Sequence, residues 1–162
     1  MNYLLKVSEV VEAAISIEEN GRTFYRSFGD STKEEEVKEV FYFLADEENR
    51  HIVAFKNISR DLEKYTPEET YGGEHSKYVS DLADKNVFSG KNTGKDLAKK
   101  VSTPFEATDL ALRFEKDSIL FFDEMRRFVS PKDHEIIDKL IEEERQHIVK
   151  LKRLEKTLKD KE

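Results

Sequence analysis

Two Glu-x-x-His pairs, Glu48-Asn49-Arg50-His51 and Glu144-Arg145-Gln146-His147, sit in long stretches whose apolar residues recur in alternating steps of three and four. That stepping is the inward stripe of a bundle helix. Residues three apart share one helical face, so each pair would aim a carboxylate and an imidazole into the same interior. One seam runs Val37, Phe41, Leu44, Glu48, His51, Phe55, Ile58, Leu62; a second runs Ile137, Leu140, Glu144, His147, Leu151, Leu154, Leu158. Both are apolar except at the two donors, which selects Glu48 over Glu47 and Glu144 from the run Glu142-Glu143-Glu144. Two further seams, Val7-Val11-Ala14-Glu18-Gly21-Tyr25-Phe28 and Thr108-Ala111-Glu115-Ser118-Phe122-Met125-Val129, each carry one Glu, Glu18 and Glu115.

The chain also repeats itself. Ala14-Ile15-Ser16-Ile17-Glu18 echoes Ala111-Leu112-Arg113-Phe114-Glu115, an aromatic follows each Glu at Tyr25 and Phe122, and His-Ile-Val recurs at 51 and 147. The intervals 18–48 and 115–144 are nearly equal, which places both sets of donors at one depth and predicts a pseudo-two-fold site.

Turn signals divide the seams. Gly29-Asp30-Ser31-Thr32 separates the first two helices and Ser130-Pro131 the last two. Thr32 with Glu35, and Thr103-Pro104 with Glu106, read as capping boxes, and Pro104 and Pro131 both suit a first helical position. Helices are expected near 8–28, 33–64, 104–129 and 131–159. The stretch 66–103 holds Pro67, Gly72, Gly73, Gly90 and Gly94 around one short amphipathic segment, Ser76 to Lys85, and is too long for a hairpin turn. The expected fold is all-α: a single domain over residues 1–162, in which a helix pair (8–64) and a second helix pair (104–159) form a four-helix bundle joined by one long crossover (66–103) carrying a small helix.

Composition narrows the function. The 162 residues are 37% hydrophobic and 39% charged, which describes apolar seams beneath a heavily solvated surface. A net charge of −7 with no basic block argues against nucleic acid or an anionic membrane as partner. There is no cysteine, so no disulfide, iron-sulfur cluster or cysteine nucleophile is available. The start, Met-Asn-Tyr-Leu-Leu-Lys-Val, turns charged before a signal-like apolar run could form, and a soluble, cytoplasmic protein is expected.

Four ionised carboxylates buried without partners would be very costly, but around two divalent cations their charges sum to zero, and each imidazole adds a neutral ligand. Carboxylates that bridge two ions hold them roughly 3.5–4 Å apart, close enough to act on one small oxygen species. Glu18, Glu48, His51, Glu115, Glu144 and His147 are therefore the candidate ligands of a metal pair, with iron the first choice and manganese the second.

On these residues the chain resembles the ferritin-like diiron-carboxylate superfamily, and within it the rubrerythrin-type proteins. The resemblance is carried by Glu18 in Ala-Ile-x-x-Glu-Glu-x-Gly-x-x-Phe-Tyr, by Glu48 and His51, by Glu115 in Glu-Lys-Asp-Ser-Ile, and by Glu144 with His147. It implies an iron pair cycling between diferrous and diferric states with hydrogen peroxide or dioxygen, in a homodimer. The Glu-Glu-x-Arg-His form at 47–51 resembles diiron motifs in which the first acid orients a histidine, so Glu47 and Glu143 are candidate outer partners, or else solvated acids at a helix edge.

Two departures are visible. Rubrerythrins carry a further Glu three residues after the one matching Glu115, where this chain has Ser118; its six-donor set is closer to bacterioferritin-type ferroxidase centres. Many also carry a rubredoxin domain that binds iron through cysteines, so electrons here would come from a separate donor such as a rubredoxin. The expected activity is a diiron oxidoreductase of peroxidase or ferroxidase type. The alternatives are iron binding or storage without turnover, and a metal-free scaffold in which seam acids pair with seam histidines. Tyr25 is a candidate catalytic side chain, against core packing with a satisfied hydroxyl. His75 and His134 lie off the seams and are expected at the surface.

Overall fold

The computed structural model describes residues 6–62, 73–88 and 92–161. Pro67, Gly72 and Gly90, and the side chains of Leu62 and His75, fall outside what is described. Helix α1 spans Val7–Ser31, α2 Glu35–Leu62, α3 Gly73–Asp84, α4 Gly94–Lys100, α5 Pro104–Met125 and α6 His134–Asp160. Among the described residues there is no strand, and no helix is long and apolar enough to cross a membrane. Pairs α1–α2 and α5–α6 pack as hairpins, and further contacts join α1 to α5 and α2 to α6, closing a ferritin-like four-helix bundle with α3 and α4 of the crossover packed outside it.

The seams are where the sequence places them. Val11, Ala14, Phe41, Leu44, Phe55, Ala111, Phe122, Met125, Ile137 and Leu151 are buried to zero exposure, and burying each large apolar side chain is worth about 1.5–3 kcal/mol. Helix α1 also buries a neighbouring stripe, Val10, Ile17 and Phe24, which the seam alone does not show. Phe24 meets Phe88 of the crossover at 5.0 Å between ring centroids, and Phe88 meets Phe114 of α5 at 4.8 Å. The described part of the crossover thus covers the α1–α5 side of the bundle.

Four helix ends differ from the sequence reading. Helix α1 runs through Gly29 to Ser31 because that glycine admits the Tyr42 ring: a Cβ there would lie 2.8 Å from it. Tyr42 then donates its hydroxyl to Asp30 Oδ1 at 2.5 Å and holds the last turn. Thr32 is consequently no cap for α2; Lys38 N bonds to Glu34 O, and Thr32 Oγ1 accepts from Glu34 N. Helix α5 stops at Met125, not 129, where tighter bonds from Arg127 N to Glu124 O and Phe128 N to Met125 O replace the α ladder. Pro131 opens a single 3-10 turn, Pro131–Asp133, and α6 begins only at His134. Thr103, by contrast, caps α5 as expected, accepting from Glu106 N at 3.1 Å.

Among the described residues the crossover holds two helices, not one. Seven-residue α4 is capped by Thr93, which accepts from Asp96 N, and its Gly94 N donates to Asn20 Oδ1 at 3.2 Å. Gly94 reads as a breaker in sequence, but its role is close approach: a Cβ there would sit 1.9 Å from the Asn20 carbonyl oxygen, a backbone atom that cannot step aside. Gly94→Ala is expected to destabilise the protein by about 2 kcal/mol, measured as a lower urea midpoint at unchanged slope. A midpoint equal to wild type would mean that α4 does not pack on α1 in this way.

Candidate metal centre

Four helices converge six polar side chains at mid-bundle. Glu18 comes from α1, Glu48 and His51 from α2, Glu115 from α5, and Glu144 and His147 from α6; the four acids and His51 are fully buried and His147 is 3% exposed. They form two overlapping groups, Glu18-Glu48-His51-Glu144 and Glu48-Glu115-Glu144-His147, with donor atoms within 4.8 Å of one another in each. Glu48 and Glu144 belong to both groups, so they are the bridging candidates, while Glu18 and Glu115 each serve one side.

Both imidazoles aim Nδ1 at the acids. His51 Nδ1 lies 3.2 Å from Glu18 Oε2, 3.7 Å from Glu48 Oε2 and 2.7 Å from Glu144 Oε1. His147 Nδ1 lies 3.7 Å from Glu48 Oε1, 3.6 Å from Glu115 Oε2 and 3.8 Å from Glu144 Oε1. The rings stack with centroids 5.5 Å apart. Across this core, Glu18 Oε1, both oxygens of Glu48, Glu115 Oε2, both oxygens of Glu144 and His147 Nδ1 are buried without a hydrogen-bond partner; the short Glu144–His51 approach lacks hydrogen-bond geometry. Each such group costs about 1–3 kcal/mol, and charged ones more. A folded protein keeps so many orphaned acceptors together only where something else satisfies them, and two divalent cations fit the donor set in number, charge and chemistry.

The electrostatics agree. Burial pushes Glu144 well above the usual carboxylate range, and the charges of Glu115 and Glu18 add to the effect. Burial also raises Glu18, against the pull of His51. For His51 burial works to lower the pKa, but Glu18, Glu115 and Glu143 outweigh it and the ring holds its proton more tightly than usual. Glu115 goes the other way: burial would raise it, yet nearby Glu144 and His147 and the Tyr25 hydrogen bond leave it lowered. Without cations the cluster retains protons that cation binding must release.

The outer positions are crossed between motifs. Glu143, beside Glu144, sits 2.9 Å from His51 Nε2 on the opposite hairpin. Glu47, beside Glu48, is 4.0 Å from His147 Nε2, beyond hydrogen-bond reach, and pairs instead with Arg50. Sequence places both acids near the imidazoles; it does not reveal that Arg50 breaks their symmetry. Tyr25 donates its hydroxyl to Glu115 Oε1 at 2.5 Å, and burial first, then Glu115, raises its pKa well above the ordinary phenol value. Ser118 is buried but turns its hydroxyl to the Phe114 carbonyl at 2.9 Å. His134 is partly buried at the start of α6, its Nε2 3.3 Å from the Val129 carbonyl. It lies outside the cluster.

Tyr25→Phe is expected to leave Glu115 Oε1 buried without a donor. That predicts a loss of about 1–3 kcal/mol in the metal-free protein and a fall of about tenfold in metal affinity, read by thermal melts and competition with a chelator. Unchanged values in both would remove Tyr25 from the site.

A bundle that gathers two Glu-x-x-His motifs and two single glutamates around a common centre is a ferritin-like dinuclear carboxylate protein. The chain belongs to the Rubrerythrin family, which it matches over residues 9–155. It is also similar to a crystal structure from Thermotoga maritima, described as that of a ferritin-like diiron-carboxylate protein, with a TM-score of 0.69 and 26% sequence identity over 96% of this chain and 98% of that one. No curated protein matches it in sequence. Family, fold and donor set together make this a protein of the diiron-carboxylate type.

Proposed function

We propose that the chain is a diiron oxidoreductase that reduces hydrogen peroxide or dioxygen with electrons from a separate donor, of which a rubredoxin is one example. The supporting observation is the cluster of orphaned buried carboxylate oxygens shared between two imidazoles. Glu18 and His51 would hold one ion, Glu115 and His147 the other, and Glu48 and Glu144 would join them. Iron bound there supplies reversible one-electron steps at two adjacent ions, matched to a two-electron oxidant.

The chain's own residues supply the rest. Tyr25, kept protonated by burial and by Glu115, fixes one oxygen of that carboxylate and leaves the other for an ion. Glu143 fixes the His51 ring through Nε2 and so presents Nδ1 inward. Phe55 and Phe122, 5.0 Å apart, and Phe41 and Phe114, packed on the Tyr25 ring, surround the donors with apolar side chains and keep bulk water off them. A second reading, iron binding or storage without turnover, uses the same residues. Reduced, iron-loaded protein mixed with peroxide under anaerobic conditions tests the choice. Oxidation within milliseconds to seconds, repeated on adding reductant, supports the oxidoreductase; oxidation that occurs once and is not renewed supports storage.

A further inference from the structure

Between α2 and α6 a pocket of about 210 Å³ opens beside the centre, and Glu47, Glu143 and His147 line it. Its inner wall is the Nε2 side of His147, whose ring stacks on that of His51. Nε2 of His51 meets Glu143 Oε2 at 2.9 Å, Nε2 of His147 stands 4.0 Å from Glu47 Oε2, and Glu47, His51 and His147 offer donor atoms within 4.8 Å of one another. A second donor set of two acids and two imidazole faces therefore backs onto the buried one. A positive charge already sits across it: the Arg50 guanidinium pairs with Glu47 and reaches to 3.6 Å of Glu143 Oε1, on a side chain 57% exposed to solvent. The rim carries Lys150 and Arg153, but Lys150 Nζ lies over the Phe43 ring at 4.6 Å.

We propose that Glu47, Glu143 and the Nε2 face of His147 form an outer divalent-cation station through which metal reaches the buried pair, and that the Arg50 guanidinium occupies it when no cation is there. The inner donors are sealed, at 0–3% exposure, and of the six His147 is the one that lines this pocket. An arriving cation displaces the protons retained by the inner acids, and the oxygens freed in this way hold it. A cation displacing Arg50 meets oxygen donors first. It then stands on the outer edge of the imidazole whose Nδ1 faces the inner donors.

This rests on the inner six binding a metal pair, so the experiment reads both. Metal-free protein is mixed with Co²⁺ in a stopped-flow spectrometer, and filling rate, release rate to a chelator and final stoichiometry are recorded separately. Glu47→Gln is expected to reach wild-type stoichiometry with filling slowed at least tenfold, and Arg50→Gln to fill faster than wild type. Val149→Trp, at an exposed position on the pocket wall, should slow filling similarly without changing release or stoichiometry, and it carries the test if Glu47→Gln folds poorly. Wild-type filling rates in Val149→Trp and in Glu47→Gln would overturn the station and leave the inner pair standing. Wild-type protein that binds no Co²⁺ would overturn the inner pair, and the station with it.

Discussion

Glu48→Leu is expected to move stability in opposite directions with and without metal. Both Glu48 oxygens are buried without partners, so in the metal-free protein an apolar side chain of similar volume removes two buried acceptors that have no hydrogen bond. Relieving such unsatisfied groups is worth about 1–3 kcal/mol, which corresponds to roughly 2–12 °C in melting temperature for a domain of this size. In metal-saturated protein the sign reverses. A ligand at about a thousand times its Kd contributes about 4 kcal/mol per site, and Glu48 belongs to both groups of donors, so its loss should erase the metal-dependent rise almost entirely. Melting curves of wild type and variant, each with Co²⁺ and with chelator, check both arms. A variant that is less stable than wild type in chelator would show that Glu48 is satisfied by the protein itself, as the scaffold reading requires.

The metal-free protein is expected to lose stability between pH 5 and pH 8, while the stabilisation conferred by metal grows over the same range. Glu18 and Glu144 have pKa values raised above 4.5, and His51 above 6.5, so the folded state binds more protons than the unfolded chain. The stability these groups contribute is complete below the unfolded values and disappears as pH climbs through the folded ones. Glu115, lowered from 4.5, works in the opposite sense, but its contribution is lost only as pH falls below that value. Cations displace the retained protons, so apparent metal affinity rises with pH. Melting temperature in chelator should fall from pH 5.5 to pH 8, and the gap to the metal-loaded sample should widen. A gap that narrows with rising pH would mean that the protons are not held by the metal-binding groups.

Much of this was readable in the sequence because the two constraints reinforce each other. A seam with step three and four, apolar at nearly every position, leaves a buried Glu or His no reading as a solvated residue, and this singled out Glu48 from Glu47 and Glu144 from Glu143. The nearly equal intervals in the two halves then set the donors at one depth, where the structure brings all six together. What escaped were features decided between elements. Gly29 and Gly94 carry turn signals, yet one accommodates the Tyr42 ring and the other the α1 backbone, which a reading along the chain cannot see. Seven-residue α4 is too short to show a period. The partner of Glu47 was likewise hidden, since Arg50 lies on the same helix face and competes with an imidazole from the other hairpin.

The central claim is a site for two metal ions built from these six side chains, and its most direct test is metal content. Protein loaded with ferrous iron under anaerobic conditions, then freed of excess by gel filtration, should contain two irons per chain by elemental analysis, and close to none in Glu48→Leu. One iron per chain or none in the wild type, or two retained by the variant, would contradict it.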